Sequence, residues 1–336
     1  MKARLPILAA GCAVLLAACT AQVAPSAPAT PEAAQPISPT SATATTVRIA
    51  YQKGGLALVA IKRGVVDKEL AQQGITVNWV GPLADAPTGY ETLRARSADF
   101  FASATAPAIS ALAAGTPMKI VAATPSTAES RAFLVNKDSS VQSVGELVGK
   151  SVAVQRGNVA EYTLLKTLER EGIDKDQVNR VYISPQDAAV ALAQGKVDAW
   201  VTWDPYVSIA ETQGNARAIA DGSEAPDYGV TVVRSDLLDA QPEVVDKVMT
   251  ALQQEADWAN ASLAEATQME IQQEGLPPDV AQVVASRPRD YSLHPVDDVA
   301  VAGMQSVATW LSDTGVIPSP VDVSQAIATG VLAKSS

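Results

Sequence analysis

Residues 47–80 read VRIAYQKGGLALVAIKRGVVDKELAQQGITVNWV. Residues 47–51 have the composition of a strand, residues 56–73 carry the apolar spacing of a helix, and residues 76–80 again favour a strand. A helix between two strands is typical of parallel strands joined by a crossover connection. The same alternation continues to residue 227, so we expect an α/β protein with mainly parallel sheets flanked by helices.

The alternation divides into two successive blocks, and each block is long enough for one sheet with its helices. A further strand over 228–234 and a largely helical remainder over 242–334 follow the second block. The simplest connection returns this last part to the first block, which predicts two lobes joined by two crossing segments. The predicted limits are 47–134 for the first part of lobe 1, 135–228 for lobe 2, and 229–336 for the return to lobe 1 and the C-terminal helices.

The N-terminal residues have the pattern of a secretory signal. Lys2 and Arg4 precede an apolar run that is too short to span a bilayer as a mature helix. The run ends in LAAC at 16–19, which resembles a bacterial lipobox. We therefore predict a lipoprotein signal peptide over 1–18 and a Cys19 that carries acyl chains such as palmitate. The protein would then work in the cell envelope outside the cytoplasmic membrane, in a periplasm if an outer membrane is present. An ordinary cleaved signal with an incidental Cys19 is the alternative.

Residues 19–46 form a segment of different composition, rich in Pro, Ala and Thr and poor in large apolar side chains. Such a segment buries too little apolar surface to fold by itself. We predict an extended linker between the lipid and the first lobe.

The overall composition argues against several classes of function. A formal net charge of −11 is unfavourable for nucleic-acid binding, which needs a basic face. The only cysteines are Cys12, inside the signal, and Cys19, so the mature chain has no cysteine pair for a disulfide or a thiolate metal site. His294 is the single histidine and precedes a proline in a predicted loop, which is a poor setting for a catalytic base. We expect no catalytic residue, no cofactor and no metal.

Four strand-to-helix joints have compositions suited to binding an anion. In parallel sheets ligands bind beyond the carboxyl ends of the strands, where helix N-termini present unpaired N–H groups. Glycines permit close approach of the backbone, and hydroxyl, amide and aromatic side chains add donors and walls. Each joint alone also fits an ordinary helix cap, but two joints in each block predict one shared cleft. The joints are Gln52-Lys53-Gly54-Gly55, Ser103-Ala104-Thr105-Ala106-Pro107, Arg156-Gly157-Asn158 and Trp203-Asp204-Pro205-Tyr206.

Short segments distributed over about 47–248 carry a family resemblance. They are IAYQK at 49–53, SADF at 97–100, TAP at 105–107, AG at 114–115, LVNKDS at 134–139, LVGKSVA at 147–153 and GKVDAWVTWDP at 195–205. With these segments the chain resembles the substrate-binding proteins of bacterial ABC importers, in the aliphatic sulfonate, taurine and nitrate group. The resemblance implies a two-lobed periplasmic-binding-protein fold of type II. Such a protein closes on a small anion and presents it, chemically unchanged, to a permease in the cytoplasmic membrane.

The joints and the resemblance together predict the residues of the ligand site. They are Gln52, Gly54, Gly55, Ser103 and Thr105 in the first lobe, and Arg131, Gly157, Asn158, Glu161, Tyr162, Trp203 and Asp204 in the second. Glu161 departs from the sulfonate-type members, which usually have a histidine at this position. A carboxylate beside a bound sulfonate would repel it. Glu161 therefore turns away as a helix cap, pairs with Arg131 or Arg156, or meets a positive group on the ligand, as in taurine.

Several functions stay open on the sequence alone. The main prediction is a lipid-anchored, monomeric binding protein for a small organosulfonate-type anion, with a permease and the membrane as partners and no nucleic acid. The same fold could bind taurine, nitrate or a thiamine-precursor pyrimidine, serve a sensory receptor, or act as an enzyme. An enzyme would need a histidine or a cofactor-bound lysine in the cleft, and His294 is poorly placed for that role.

Overall fold

The computed structural model describes residues 45–126, 130–225 and 227–332. The predicted signal over 1–18 and Cys19 lie outside these residues, as does the predicted linker up to residue 44. Within the described ranges no helix is both long enough and apolar enough to cross a bilayer.

Two five-stranded sheets form the framework of the described chain. The strands are β1 (Thr45–Gln52), β2 (Ile75–Leu83), β3 (Phe100–Ala104), β4 (Met118–Pro125), β5 (Arg131–Asn136), β6 (Ser151–Val154), β7 (Asn179–Tyr182), β8 (Ala199–Trp203), β9 (Ala216–Asp221) and β10 (Tyr228–Arg234). Their order is β2-β1-β3-β10-β4 in the first sheet and β7-β6-β8-β5-β9 in the second. We call each sheet with its flanking helices a lobe.

Both sheets have the same topology. In the first sheet β1 is parallel to β2 and β3, and β10 is antiparallel to β3 and β4. In the second sheet β6 is parallel to β7 and β8, and β5 is antiparallel to β8 and β9. The antiparallel strand of each sheet arrives from the other lobe, since β5 follows β4 and β10 follows β9. Two mainly parallel lobes joined by two crossing segments are therefore confirmed. The predicted lobe limits at 134–135 and 228–229 fall inside β5 and at the start of β10.

Helices cover the sheets and fill the C-terminal part of the chain. They are α1 (Leu56–Arg63), α2 (Val65–Gln72), α3 (Ala86–Arg94), α4 (Thr105–Ala113), α5 (Val159–Arg170), α6 (Pro185–Ala193), α7 (Tyr206–Thr212), α8 (Ser235–Ala240), α9 (Pro242–Ala261), α10 (Leu263–Glu274), α11 (Pro278–Ser286) and α12 (Asp298–Asp313). Short 3-10 helices span Val144–Leu147, Lys175–Gln177 and Val323–Ala326. The helix predicted over 56–73 is two helices, because Gly64 adopts a left-handed φ of 62° that ends α1 and begins α2.

The remainder predicted as helical over 242–334 contains a long interruption. Residues 287–297 run without helix and pair with the first sheet, where Ala123 and His294 exchange N–H to carbonyl hydrogen bonds of 3.0 Å. Pro288 and Pro295 lack the N–H group that a continuing helix would need. This extended segment reaches the cleft between the lobes.

Two of the C-terminal helices contact both lobes. α11 packs against α10 and against α7 of the second lobe, where Ile209 packs against the cluster of Ile271, Val280 and Val284. α12 packs against α4 of the first lobe, and its Trp310 stands edge-on to Tyr162 of α5, with ring centroids 5.2 Å apart. These contacts connect the lobes in addition to the two crossing segments.

Candidate ligand-binding cleft

A cavity of about 420 Å³ is lined by residues of both lobes. The first lobe contributes the ends of β1 and β3, and the second contributes the end of β8. These are the carboxyl ends of parallel strands, where α/β proteins commonly bind ligands. The predicted site residues that line the cavity are Gln52, Gly54, Gly55, Ser103, Trp203 and Asp204.

Aromatic side chains form much of the cavity wall. Tyr51 and Trp79 stand edge to face, with ring centroids 6.4 Å apart and an interplanar angle of 84°. From the other lobe, Trp203 stands edge-on to Tyr206 with centroids 5.6 Å apart. Further aliphatic lining comes from Leu56, Leu252 and Leu293. Such a wall suits the organic part of a ligand more than a small inorganic ion.

The extended segment after α11 supplies a part of the site that the sequence did not reveal. Its lining residues are Arg287, Pro288, Arg289, Asp290, Tyr291, Ser292 and Leu293. No strand-to-helix joint marks them, and they fall in the part of the chain predicted as largely helical, apart from the loop predicted around His294. The available signals were Pro288 and Pro295, because a proline argues against a continuing helix.

One N–H group at the start of α1, that of Gly55, is bound by a carboxylate from α10. The Gly55 N–H donates to Glu270 Oε1 at 2.8 Å. Arg289 Nη1 donates to both oxygens of Glu270 at 2.8 Å, and the Tyr291 hydroxyl donates to Oε2. Gly54 permits the close approach, because its φ is 90° and a Cβ there would lie 3.3 Å from Glu270 Oε1. The predicted glycine loop therefore binds a carboxylate of its own chain.

A second carboxyl group lies beside this contact. Burial and the neighbouring Glu270 charge raise the pKa of Glu274 to about 8, although Arg289 and Lys53 oppose the shift. A Cβ on Gly54 would lie 3.4 Å from Glu274 Oε1. Burial and the charge of Glu270 thus favour the neutral form of Glu274.

The start of α5 is occupied in the same way. Glu161 Oε2 accepts from the Gly157 N–H at 2.7 Å, and Oε1 accepts from the Tyr182 hydroxyl at 2.6 Å. Asn158 caps the helix by accepting from the Val159 N–H at 2.6 Å. Glu161 is only 3% exposed. Glu161 therefore turns back onto the start of its own helix, which is the first of the three alternatives predicted for its side chain. None of the predicted residues Gly157, Asn158, Glu161 and Tyr162 lines the cavity.

Asp204 lines the cavity, but its carboxylate is bound by two neighbours. Oδ1 accepts from the Ser208 N–H at 3.1 Å and from the Ser208 hydroxyl at 2.7 Å. Oδ2 pairs with Arg287 Nε at 2.7 Å, and Arg287 Nη2 reaches Glu211 at 2.9 Å. Since Arg287 precedes the segment paired with β4, these ion pairs join the two lobes at the cleft.

Thr105 and Arg131 lie near the crossing segments and do not line the cavity. The Thr105 hydroxyl donates to the Tyr228 carbonyl at 3.1 Å, and Arg131 Nη1 donates to the Thr163 hydroxyl at 3.3 Å. Burial raises the pKa of the adjacent Asp227 to about 6, while the charge of Arg131 and the donors of Tyr228 and Thr105 oppose the shift. These polar groups are buried at the junction of the lobes.

A carboxylate of the chain therefore lies at each of the four predicted helix starts. Glu270 binds at α1, Asp227 lies at α4, Glu161 binds at α5 and Asp204 binds at α7. Anions are stabilised at helix N-termini, which explains why acidic side chains are tolerated there. The sequence predicts that the four helix starts share one cleft and supply its donors. The structure differs, because carboxylates of the chain lie at these starts.

The remaining positive character of the cleft lies at Lys53. Its side chain is exposed and belongs to the cavity lining. Among the residues that the structure describes, no carboxylate lies within ion-pair distance of it. The N–H groups of Leu56 and Ala57 begin α1, have no carbonyl partner inside the helix, and belong to lining residues. Glu270 binds the Gly55 N–H and not those of Leu56 and Ala57. Lys53 and these two N–H groups therefore offer a place for one anionic group.

Comparisons with known proteins place the chain in a family and find solved structures with a similar fold. The model of the family described as NMT1/THI5 like matches residues 70–266. The chain belongs to the NMT1/THI5-like family. A relative from Escherichia coli (strain K12), whose name describes aliphatic sulfonate binding, is 30% identical over 84% of this chain and 88% of its own length. The solved alkanesulfonate-binding protein SsuA from Xanthomonas axonopodis pv. citri, bound to MOPS, has a TM-score of 0.78 and 27% identity. That match covers 86% of this chain and 99% of the solved one.

The fold of this NMT1/THI5-like protein also occurs in an enzyme. The desulfurization enzyme DSZB superposes with a TM-score of 0.64 at 20% identity, covering 85% of this chain and 97% of its own, a likeness that concerns the fold alone. His294 pairs with β4 through its backbone and does not line the cavity. Across the described ranges no group of three His, Cys, Asp or Glu side chains could hold a metal ion.

Proposed function

We propose that this protein is the solute-binding component of an ABC importer, and that it captures an organosulfonate between its lobes. The observation that carries the proposal is the cleft at the carboxyl ends of β1, β3 and β8, in a chain whose relative over 84% of its length is named for sulfonate binding. The ligand is released unchanged to a permease in the membrane.

The sulfonate head group lies at Lys53 and the start of α1. A sulfonate carries one negative charge over three acceptor oxygens, so one ammonium group and a few N–H or O–H donors satisfy it. Lys53 supplies the charge, and the N–H groups of Leu56 and Ala57 supply donors. Gln52 and Ser103 also line the cavity, and we expect them to add an amide and a hydroxyl.

The protein acts in the cell envelope, held to the membrane by lipid on Cys19. The proposal is supported by the signal pattern before Cys19. The segment over 19–46 then acts as a tether that lets the lobes reach the permease.

Titration calorimetry of the purified mature protein tests ligand binding. We expect saturable binding of at least one organosulfonate and weaker binding of nitrate and of a thiamine-precursor pyrimidine. Lys53→Gln is expected to weaken sulfonate binding about tenfold, while Lys137→Gln, an exposed lysine far from the cavity lining, leaves it unchanged. If no sulfonate gives heat with the folded protein, the ligand assignment is wrong.

Cell experiments test delivery and anchoring. Deleting the protein is expected to abolish growth on a sulfonate as the sole sulfur source, and Cys19→Ser is expected to move the protein from the membrane fraction to the soluble fraction. Retention of the Cys19→Ser protein in the membrane fraction would contradict lipidation at this residue.

A further inference from the structure

We propose that the organic part of the bound sulfonate is an aromatic ring, held between Trp79 and Tyr51 of the first lobe and Trp203 of the second. The proposal rests on the proposed function, because it concerns the part of the ligand that follows the sulfonate head group. It names arylsulfonates as the substrate class of this cleft.

The first-lobe rings are held in fixed orientations. Trp79 Nε1 donates to the two oxygens of Asp67 at 3.1 and 3.3 Å, which leaves little freedom about the side-chain torsions. Tyr51 stands at 84° to the Trp79 ring, so one ring presents an edge where the other presents a face. Both side chains are half-buried, and a ligand ring can still reach them.

The second-lobe ring is fixed as well. Trp203 stands at 89° to Tyr206, and the Tyr206 hydroxyl accepts from Gln186 Nε2 at 3.1 Å. Trp203 is half-buried and lines the same cavity as Trp79. Aromatic surfaces from opposite lobes therefore flank one space, and closing the lobes on a ring would bring them against it. Aromatic groups prefer such edge-to-face or offset contacts.

The size of the space argues for a bulky ligand. A cavity of about 420 Å³ lies within the usual range for small-molecule sites, about 300–1,000 Å³. Nitrate or methanesulfonate would leave most of it filled with water against apolar walls. A flexible alkyl chain loses rotational freedom on binding, whereas a planar ring loses almost none. Preformed, rigid aromatic walls thus favour the ring.

Calorimetric titration of the mature protein with benzenesulfonate and 1-hexanesulfonate tests the proposal, because the two ligands share a head group and a carbon number. We expect benzenesulfonate to bind at least about threefold more tightly, a preference within the range measured for aromatic pairs. Trp79→Leu and Trp203→Leu are each expected to remove this preference while 1-hexanesulfonate still binds. Trp258→Leu is the matched control, since its ring stacks on Arg63 at 3.5 Å outside the cavity lining.

The outcomes separate this proposal from the proposed function. Binding of both ligands with no preference for the ring, or with preference for the chain, overturns the arylsulfonate assignment and leaves sulfonate binding in place. Failure of both to bind the folded protein overturns sulfonate binding itself, and the arylsulfonate assignment with it. If circular dichroism shows that a leucine variant is unfolded, the phenylalanine variant at the same position, Trp79→Phe or Trp203→Phe, takes its place. A phenylalanine variant that keeps the ring preference supports the proposal, and one that loses it overturns the assigned contact.

Discussion

Glu161 Oε2 accepts the backbone N–H of Gly157 at 2.7 Å, so the carboxylate of Glu161 fills the anion position at the start of α5. Its other oxygen accepts from the Tyr182 hydroxyl at 2.6 Å. Residues of this joint do not line the cavity, and the joint contributes to stability through its cap. Glu161, where the family resemblance leads one to expect histidine, is thus accommodated inside the second lobe.

Replacing Glu161 should affect folding and leave ligand binding almost unchanged. Glu161→Ala leaves the Gly157 N–H and the Tyr182 hydroxyl without their acceptor, and we expect the free energy of unfolding to fall by about 1–3 kcal/mol. Urea denaturation measures this loss, and calorimetry should give a sulfonate Kd within about twofold of the wild type. The conservative Glu161→Gln keeps an acceptor for the N–H and should lose less stability. Tighter sulfonate binding by either variant would mean that Glu161 faces the ligand.

Arg287 should control how readily the lobes close. It pairs with Asp204 and Glu211 of the second lobe at 2.7 and 2.9 Å. Arg287→Gln removes both ion pairs, so we expect a larger open fraction, a larger radius of gyration by X-ray scattering without ligand, and ligand binding weaker by about three- to tenfold. Glu211→Gln removes one pair at a residue that does not line the cavity and should shift the same quantities less.

The control for this experiment is Arg170→Gln. Arg170 pairs with Glu224 at 2.7 Å with both side chains about half exposed, and this ion pair does not reach the cleft. An equal change in the radius of gyration for Arg170→Gln and Arg287→Gln would contradict a specific role of Arg287 in closure.

Asp227 should make stability depend on pH. Its pKa is about 6 in the folded protein and 3.8 for an ordinary aspartate, because burial disfavours the charged form. The folded state therefore binds the proton more tightly than the unfolded state does. The stability gained from this proton is complete below pH 3.8 and is lost as the pH rises through 6. Asp227→Asn should reduce the fall in unfolding free energy between pH 4.5 and 7.5 by about 2 kcal/mol. Urea titrations at several pH values measure it, with the exposed Asp138→Asn as control. An unchanged pH dependence in Asp227→Asn would refute this assignment.

Gly89 should be intolerant of any side chain. It lies in α3 where a Cβ would come within 2.1 Å of Phe101 Cζ, and Phe101 is buried in the first lobe. We expect Gly89→Ala to lower the free energy of unfolding by about 1–3 kcal/mol, despite the better helix propensity of alanine. Gly145→Ala is the control, since the nearest atom to its added Cβ is Ser143 Oγ at 3.8 Å. Equal stability of the two variants would show that Phe101 moves aside without cost.

The local pattern of the chain was sufficient to predict the fold class and the positions of many elements. The strand at β1, the glycine-rich turn after it and the helix start at Asn158 depend on neighbours within a few residues, and those neighbours can be read in order. Glu161 lies four residues from Gly157, so its capping position was visible as well. The break at Gly64 was missed, because a glycine inside an apolar helical period is also tolerated without a break.

The sequence by itself thus determined an α/β chain with strand-to-helix joints that favour anions, because strand alternation, helix period and capping are local properties. Only the tertiary structure decided which anions fill those joints and which residues face the ligand. Glu270 reaches the Gly55 N–H across 215 residues of sequence, and Arg287 reaches Asp204 from the opposite lobe. Such contacts depend on the path of the whole chain through two sheets, and no short-range pattern encodes that path.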